Sequence, residues 1–569
     1  MNFSDLLSRT INDTVGIAPL GDLKRVLSGQ QPTFLDGSLL MFLPELIVAA
    51  TVLVLLLVRL LDLDKRVPGQ TVALLGSTFA VLIAVAQFMA LQNYAGDNPQ
   101  EIFQRRFMFS GLLVYDAFSV FFKIFLLLFL QLVVYLTRLT GIPDSDDAAD
   151  FYTLLFGSTL GMLLLISSNN LLMLFLGIEM TSVPSYAMVG FLKGRRTSSE
   201  AAFKYVVYGA GAAGVMLYGI SILSGLLGTT SFPEIATRLA MIISDTPLKM
   251  DATLMTLLLS IVMILVGIAF KLSIFPFHFW CPDAFEGAAA EVGGFLSVAS
   301  KGAAFAVLLR FLLALVGVNE LEASKLSPIF LYLGLGLGAI AAATVTFGNL
   351  AAYSQTNIKR MLAYSTIAHA GYMLMAVSAM MVSLNAVNTL EDPNARWTLA
   401  ISAVEGLLFY LWVYMFMNLG AFAIVAVIRN ESFSEEIKDY SGLWTQSPVL
   451  AVSMACCLFS LVGLPPFGGF FGKLMIFSSL LQTGSIHWAM YAILVIGGLN
   501  TAVSLFYYVQ VLRVMFIETA KPEARRVKVT LGSSTGMFVF GLALLVLLTG
   551  ILPDPLQRVA HSVATVLFP

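Results

Sequence analysis

Seven ionisable side chains stand inside stretches of sequence that are otherwise apolar: Glu179, Lys204, Lys271, Lys301, His369, Glu405 and Lys473. A charge at the centre of a bilayer-length helix costs about 2.5–3.5 kcal/mol on insertion scales, so such residues are functional candidates by default. Lysine has few acidic companions in these stretches. Glu179, within LLMLFLGIEMTSVPSYAMVGF, is the counter-ion expected for Lys271 or Lys204. At an effective dielectric of about 20 and a separation of about 6 Å, a carboxylate and an ammonium attract by roughly 3 kcal/mol. Moving one proton across about 200 mV requires roughly 4.6 kcal/mol. The two quantities are comparable, so a buried amine that alternately gains and loses an acidic partner can load and release a proton. On this reading Lys271 loads, Lys301 relays, His369 bridges through water and Lys473 forms the exit half. Bland readings compete. Lys204 sits where an interfacial lysine would snorkel, Glu405 could cap or pair within a helix, and Arg310 reads as structural.

The elements that must position these groups are membrane helices. Of 569 residues, 58% are hydrophobic and 12% charged, with mean hydropathy +0.88; soluble proteins carry about 25% charged residues. Apolar runs of bilayer length recur at 39–62, 71–93, 114–137, 151–168, 170–192, 201–226, 252–276, 290–317, 326–350, 358–383, 398–428, 447–480, 486–516 and 531–552. The expectation is an all-α integral membrane protein of about fourteen transmembrane helices. Residues 1–36 are polar, lack a signal-peptide core, and are expected to be an N-terminal extension to a single polytopic domain, 37–569.

Two of the runs are interrupted, the seventh by Pro276 and Pro282 and the twelfth by GLPPFGGFFGK, Gly463–Lys473. Proline removes a backbone donor and clashes with the preceding turn, and freed backbone groups inside a membrane must face protein or a water-lined cavity. Interruptions at corresponding places in two halves mark an internally repeated transporter. Spans 4–8 and 9–13 are therefore expected to form two inverted five-helix repeats with broken helices 7 and 12. Loops after odd-numbered spans hold most of the basic residues, among them Lys65, Arg66, Lys193, Arg195, Arg196, Lys359 and Arg360. The positive-inside rule then makes those loops cytoplasmic and puts both termini on the other side.

Other patterns carry little. Three cysteines and four scattered histidines offer no disulfide framework or metal-ligand spacing. Gly209, Gly211 and Gly214 match G-x-G-x-x-G, but in an apolar helix with no preceding strand they read as packing glycines, as does GLGLG at Gly334–Gly338. No nucleic-acid patch or nucleophile–base constellation is present.

FPFHFWCPDAFEGA, followed by FLSVASKGAAFAVLLRFL, resembles the signature of the antiporter-like subunits of respiratory complex I, the proton-translocating NADH:quinone oxidoreductase. GNLAAYSQTNIKRMLAYSTIAHAGYMLM and FSLVGLPPFGGFFGKLMIF resemble more narrowly the N branch of that family, called subunit 2 in organelles. Lysine at 473 and an end at Pro569 fit this branch better than the M branch, which usually has glutamate there, or the longer L branch. The resemblance implies a hydrated axis of charged residues through the membrane, with Glu179, Lys204, Lys271, Lys301 and Lys473 matching the family's charged positions. It also implies no cofactor in this chain, with NADH, FMN, iron–sulfur clusters and quinone held by partner subunits. Expected partners are the other membrane subunits, the M- and K-like neighbours especially, together with the lipid bilayer of a bacterial inner membrane. The alternative is an Mrp-like cation/proton antiporter subunit. One departure stands out: where relatives usually read EGAPTPV, this chain reads EGAAAEV, which adds Glu291 as a proton-collecting carboxylate at the mouth of span 8.

Overall fold

The computed structural model describes residues 38–63, 65–97, 106–144, 147–245, 252–316, 320–386, 395–519 and 527–568; the expected extension, 1–36, lies outside them. Among the described residues, thirteen helices are long and apolar enough to cross a membrane. They fall on the expected runs except the twelfth, which is two short helices, Pro448–Val462 and Gly468–Thr483. At 1.5 Å per residue neither reaches across about 30 Å of hydrocarbon alone. The seventh run breaks as expected, into Ala252–Leu272 and a short Trp280–Gly287 helix.

Burial sorts the helices into a centre and a rim. In the apolar 18-residue stretches of Ala290–Ala314 and Ile358–Leu384 every residue is buried, and in that of Ala395–Ser432 94% are, whereas in those of Gly69–Leu91 and Ala489–Phe516 only 28% are. The reason is in their side chains. The three central helices carry Lys301, Arg310, His369, Glu405 and Arg429, which lipid does not tolerate. The rim helices present apolar faces outward, as with Phe79, Leu82, Val495 and Leu499.

Buried ion pairs lash the rim to the centre. Lys123 meets Glu45 at 2.8 Å, both fully buried, joining Leu43–Leu60 to Ala117–Thr140. Arg310 makes a two-pronged pair with Asp116 (3.0 and 2.7 Å) and donates from Nε to the Ile166 carbonyl at 2.6 Å. Asp116 is also the N-cap of Ala117–Thr140, accepting from the Ser119 amide. Removing one partner of such a pair leaves a bare charge in the core and typically costs about 3–5 kcal/mol. Glu291 belongs to this class, which corrects its expected role. It is fully buried and paired with Arg429 at 3.2 Å, so it is not a carboxylate at a water-facing mouth.

The connections segregate into two ends. At one, Lys193 meets Asp147 at 2.9 Å, Arg59 meets Asp150 at 3.5 Å, and Asn430 donates to the Thr140 carbonyl at 2.6 Å; Arg59 is in the last turn of the first span and the others lie in loops after odd-numbered expected spans. At the other, the Leu171 amide bonds Thr230 and the Asn169 amide bonds Leu112, joining loops after even-numbered spans. A small antiparallel hairpin, Arg106–Met108 with Leu113–Tyr115, also lies there. The glycine motifs are partly packing devices: a Cβ on Gly209 would strike Tyr186, and one on Gly334 would strike Val382, whereas Gly211, Gly214 and Gly336 meet nothing within 4 Å. Two amphipathic helices, Phe232–Asp245 and Asp554–Thr565, were not legible as spans because only one face of each is apolar.

Candidate functional site

The three buried lysines are held by the breaks. Lys271 ends the first half of the seventh run, and its ammonium makes no hydrogen bond to protein among the described residues. The Tyr186 and Tyr205 rings lie 5.9 and 5.8 Å from it, and Glu179 is the charged group that acts on it. The next residue, Leu272, offers its carbonyl to Lys301 Nζ at 3.0 Å. This caps the exposed end of a helix whose last carbonyls have no partner within it, where the helix dipole favours a cation. A turn of π-helix, Leu296–Ser300, directly precedes Lys301, the kind of local widening that recurs at functional sites.

Lys301 also donates to the Thr366 carbonyl at 3.0 Å. From there the Ile358–Leu384 helix carries the line onward, because positions three apart share a face. His369 is one turn on, and its Nδ1 lies 2.6 Å from the Tyr410 hydroxyl and its Nε2 3.3 Å from the Tyr508 hydroxyl. Tyr508 in turn bonds Ser365. His369 feels the charges of both Lys473 and Lys301. Tyr372, a further turn on, places its ring 4.3 Å from Lys473 Nζ. Residues 366 to 372 thus span about 9 Å of helix between the two lysines.

Lys473 repeats the capping. Its ammonium donates to the Leu461 and Val462 carbonyls at 3.0 and 2.9 Å, the last of the first half-helix of the twelfth run. Gly463 follows at φ +90, and a Cβ there would lie 3.0 Å from Lys473 Cδ. Lys271, Lys301 and Lys473 are 2%, 1% and 3% exposed, so all three ammonium groups are inside the protein.

Glu405 and Lys204 mark the two extremities. Glu405 accepts from Gln557 at 2.9 Å and lies 2.8 Å from His561 Nδ1. Lys204 is not a partner of Glu179, which corrects that half of the expectation; it pairs with Glu200 at 2.9 Å and Asp283 at 2.8 Å. Arg360 joins the same cluster, 2.7 Å from Asp283 and 2.6 Å from Glu286. Thr197, Gly287 and these groups line a solvent-open pocket of about 230 Å³ at the odd-loop end. Asp283 lies outside the thirteen spans. Burial works against its charge, yet hydrogen bonds from Lys204 and Arg360 outweigh burial and hold it below the usual carboxylate range.

Sequence reasoning missed Asp283, Gln557, His561 and the tyrosines 372, 410 and 508. The tyrosines carry no charge to flag them, and the first three gain meaning only through tertiary contact. Spacing held one signal: Thr366, His369 and Tyr372 recur every three residues on a helix.

The family model for the transmembrane region of NADH:quinone oxidoreductase and Mrp antiporters matches residues 168–390 and 396–501. NADH-quinone oxidoreductase subunit N from Anaeromyxobacter sp. (strain Fw109-5) is 38% identical over 529 residues, covering 92% of this chain and 95% of that one. A chain of respiratory complex I from Thermus thermophilus superposes with TM-score 0.66 at 25% identity, covering 90% and 98%. A chain of the Mrp complex from Dietzia sp. DQ12-45-1b shares the fold at TM-score 0.71 and 17% identity, covering 92% and 97%. The chain is a multi-pass membrane protein that belongs to the subunit N family of NADH-quinone oxidoreductase.

Proposed function

We propose that this chain is a proton-translocating membrane subunit of NADH:quinone oxidoreductase, driven by quinone reduction in partner subunits. Protons move along Glu179, Lys271, Lys301, His369, Lys473 and Glu405, with Lys204 acting in the outer pocket beside Asp283. One observation carries the reading: Lys301 donates to the carbonyl of Leu272, beside Lys271, and to that of Thr366, one turn from His369, which bonds Tyr410, while Tyr372 sets its ring against Lys473. A buried ammonium without a protein partner, as at Lys271, is tolerable only if water serves it or if it gives up its proton. Either condition suits transfer.

The remaining parts of the proposal follow from the family and from charge. The odd-loop end faces the cytoplasm and both termini face the periplasm of a bacterial inner membrane. Spans 4–8 and 9–13 act as two inverted repeats. The partners are the other membrane subunits, with M- and K-like chains alongside, and those beyond them hold NADH, FMN, iron–sulfur clusters and quinone.

The test is Lys271→Met in the intact complex reconstituted into proteoliposomes. Dye-reported acidification per NADH oxidised should fall to background; pumping at the wild-type rate would remove the basis of the proposal. A second reading, a cation/proton antiporter subunit, draws on the fold shared with the Dietzia Mrp chain. Sodium-dependent proton exchange by the assembly without quinone-reducing subunits would favour it. Co-purification with those subunits would favour the first.

A further inference from the structure

We infer that the Asp554–Thr565 helix carries the water-facing port of this axis, with His561 exchanging protons between Glu405 and solvent and Gln557 fixing the carboxylate. This rests on the axis reading above and adds to it a residue and a helix that the charged motifs do not include.

The geometry is a buried acid met by an exposed base. The Glu405 side chain is 10% exposed and the His561 side chain 58% exposed, yet Oε2 and Nδ1 are 2.8 Å apart. Gln557 Nε2 donates to the other oxygen, Oε1, at 2.9 Å. Positions 557 and 561 are four apart, so they share one edge of the helix, and that edge presents two polar heads to the two oxygens of a single carboxylate. Ala564 lies on the same face, and Ala560 and Val563 flank it; all three are buried. The helix is therefore seated along this side, with both polar heads at its margin against Glu405.

On the inner side the carboxylate is one and a half turns from the axis. Tyr410, which bonds His369, lies five residues along the same helix, about 7.5 Å of rise. Close approaches register that helix against the one bearing Lys473: a Cβ on Gly472 would strike Tyr410, and one on Gly406 would lie 3.2 Å from Met475. Other charges near the contact are accounted for. Arg396, on the Glu405 helix, lies over Trp397 at 4.6 Å. Lys123, on the Ala117–Thr140 helix that also packs there, is bound to Glu45. Asp554 and Arg558 of the C-terminal helix itself are exposed.

Proton balance is simple. Protonated Glu405 gives its proton at Oε2 to the bare Nδ1 of His561, and the imidazolium releases its Nε2 proton to water. A ring flip or exchange through water restores the starting tautomer, and no electrons move. Imidazole suits this step because both nitrogens can carry the proton.

The experiment uses the intact complex in proteoliposomes with His561→Ala, Glu405→Gln, the double variant and Lys473→Met, scored as acidification per NADH oxidised. His561→Ala should slow pumping by about 100-fold, the low end for loss of an acid–base group. Added imidazole should restore it, and the double variant should be no slower than Glu405→Gln alone. Wild-type pumping by His561→Ala, or a loss that imidazole does not relieve and that adds to the Glu405→Gln loss, overturns the port. If Lys473→Met abolishes pumping while His561→Ala does not slow it, the port falls and the axis stands. If Lys473→Met pumps normally, the axis reading falls and takes the port with it.

Discussion

The two broken helices are built alike and furnished differently. In each, a half-helix ends inside the membrane and a lysine ammonium covers its last carbonyls: Lys301 at Leu272, and Lys473 at Leu461 and Val462. Five residues before the proline, however, the first break has Lys271 before Pro276 and the second has Ser460 before Pro465. Among the described residues the first half thus owns an extra amine with no hydrogen-bonded protein partner and a single acidic neighbour, Glu179. The second half has a lysine tied to carbonyls and a tyrosine ring, with no carboxylate in salt-bridge reach among the described residues. Structure at a break needs one cation; switching needs a second group whose partner can leave. Only the first half has both.

This contrast can be broken most sharply at the lysines. Lys473→Met should lose both pumping and the capped helix end, so acidification should fall about 100-fold with a lower unfolding temperature of the solubilised complex. Lys473→Arg keeps a cation on the Leu461 and Val462 carbonyls but never deprotonates, so it should lose pumping and keep stability. In the first half Glu179→Gln should slow pumping about ten-fold by removing the charged neighbour of Lys271, and should lower the unfolding temperature less than Lys473→Met because it uncaps no helix end. If Lys473→Arg pumps, its amine is a structural cap and the two halves are not equivalent carriers.

A smaller effect separates the backbones of the breaks. Gly463 adopts φ +90 with Lys473 Cδ close by, whereas the first break is turned by Ser273 at φ +56. Gly463→Ala should cost about 1–3 kcal/mol through left-handed strain and should also disturb Lys473, so pumping and thermal stability should drop together. Ser273→Gly relieves the same kind of strain and should leave stability unchanged or raised by up to about 1 kcal/mol. Thermal unfolding of the two variants side by side checks both.

What could be read from the sequence tracks how local each cause is. Helix positions followed from runs of apolar residues, and both breaks followed from proline and glycine, because these act through their own backbone. The lysines were conspicuous because a cation among leucines is costly wherever it points. Partners were not legible. Lys204 meets Asp283 across 79 residues and Glu405 meets His561 across 156, and nothing in either neighbourhood announces the other. Glu291 was misread for the same reason: at a break it resembles a water-facing acid, and only the distant Arg429 makes it a core ion pair.

The mildest expected effect concerns how each half meets water. On the proposed reading the first half does so through a fixed cluster, Asp283 with Lys204 and Arg360, and the second through the carboxylate–imidazole pair of Glu405 and His561. Asp283 is held below the ordinary carboxylate range because the hydrogen bonds from those two cations outweigh its burial. A depressed carboxylate contributes stability that is complete above its unfolded value, about 3.9, and is lost as pH falls through the folded one. The gap in unfolding temperature between wild type and Asp283→Asn should therefore be constant from neutral pH down to about 5 and close below about 4. It should also be modest, because the cluster is partly exposed and screened. A gap that closes already between pH 7 and 6 would mean that Asp283 takes up a proton in the working range, and the fixed cluster would then be a second titrating port rather than the static counterpart of Glu405 and His561.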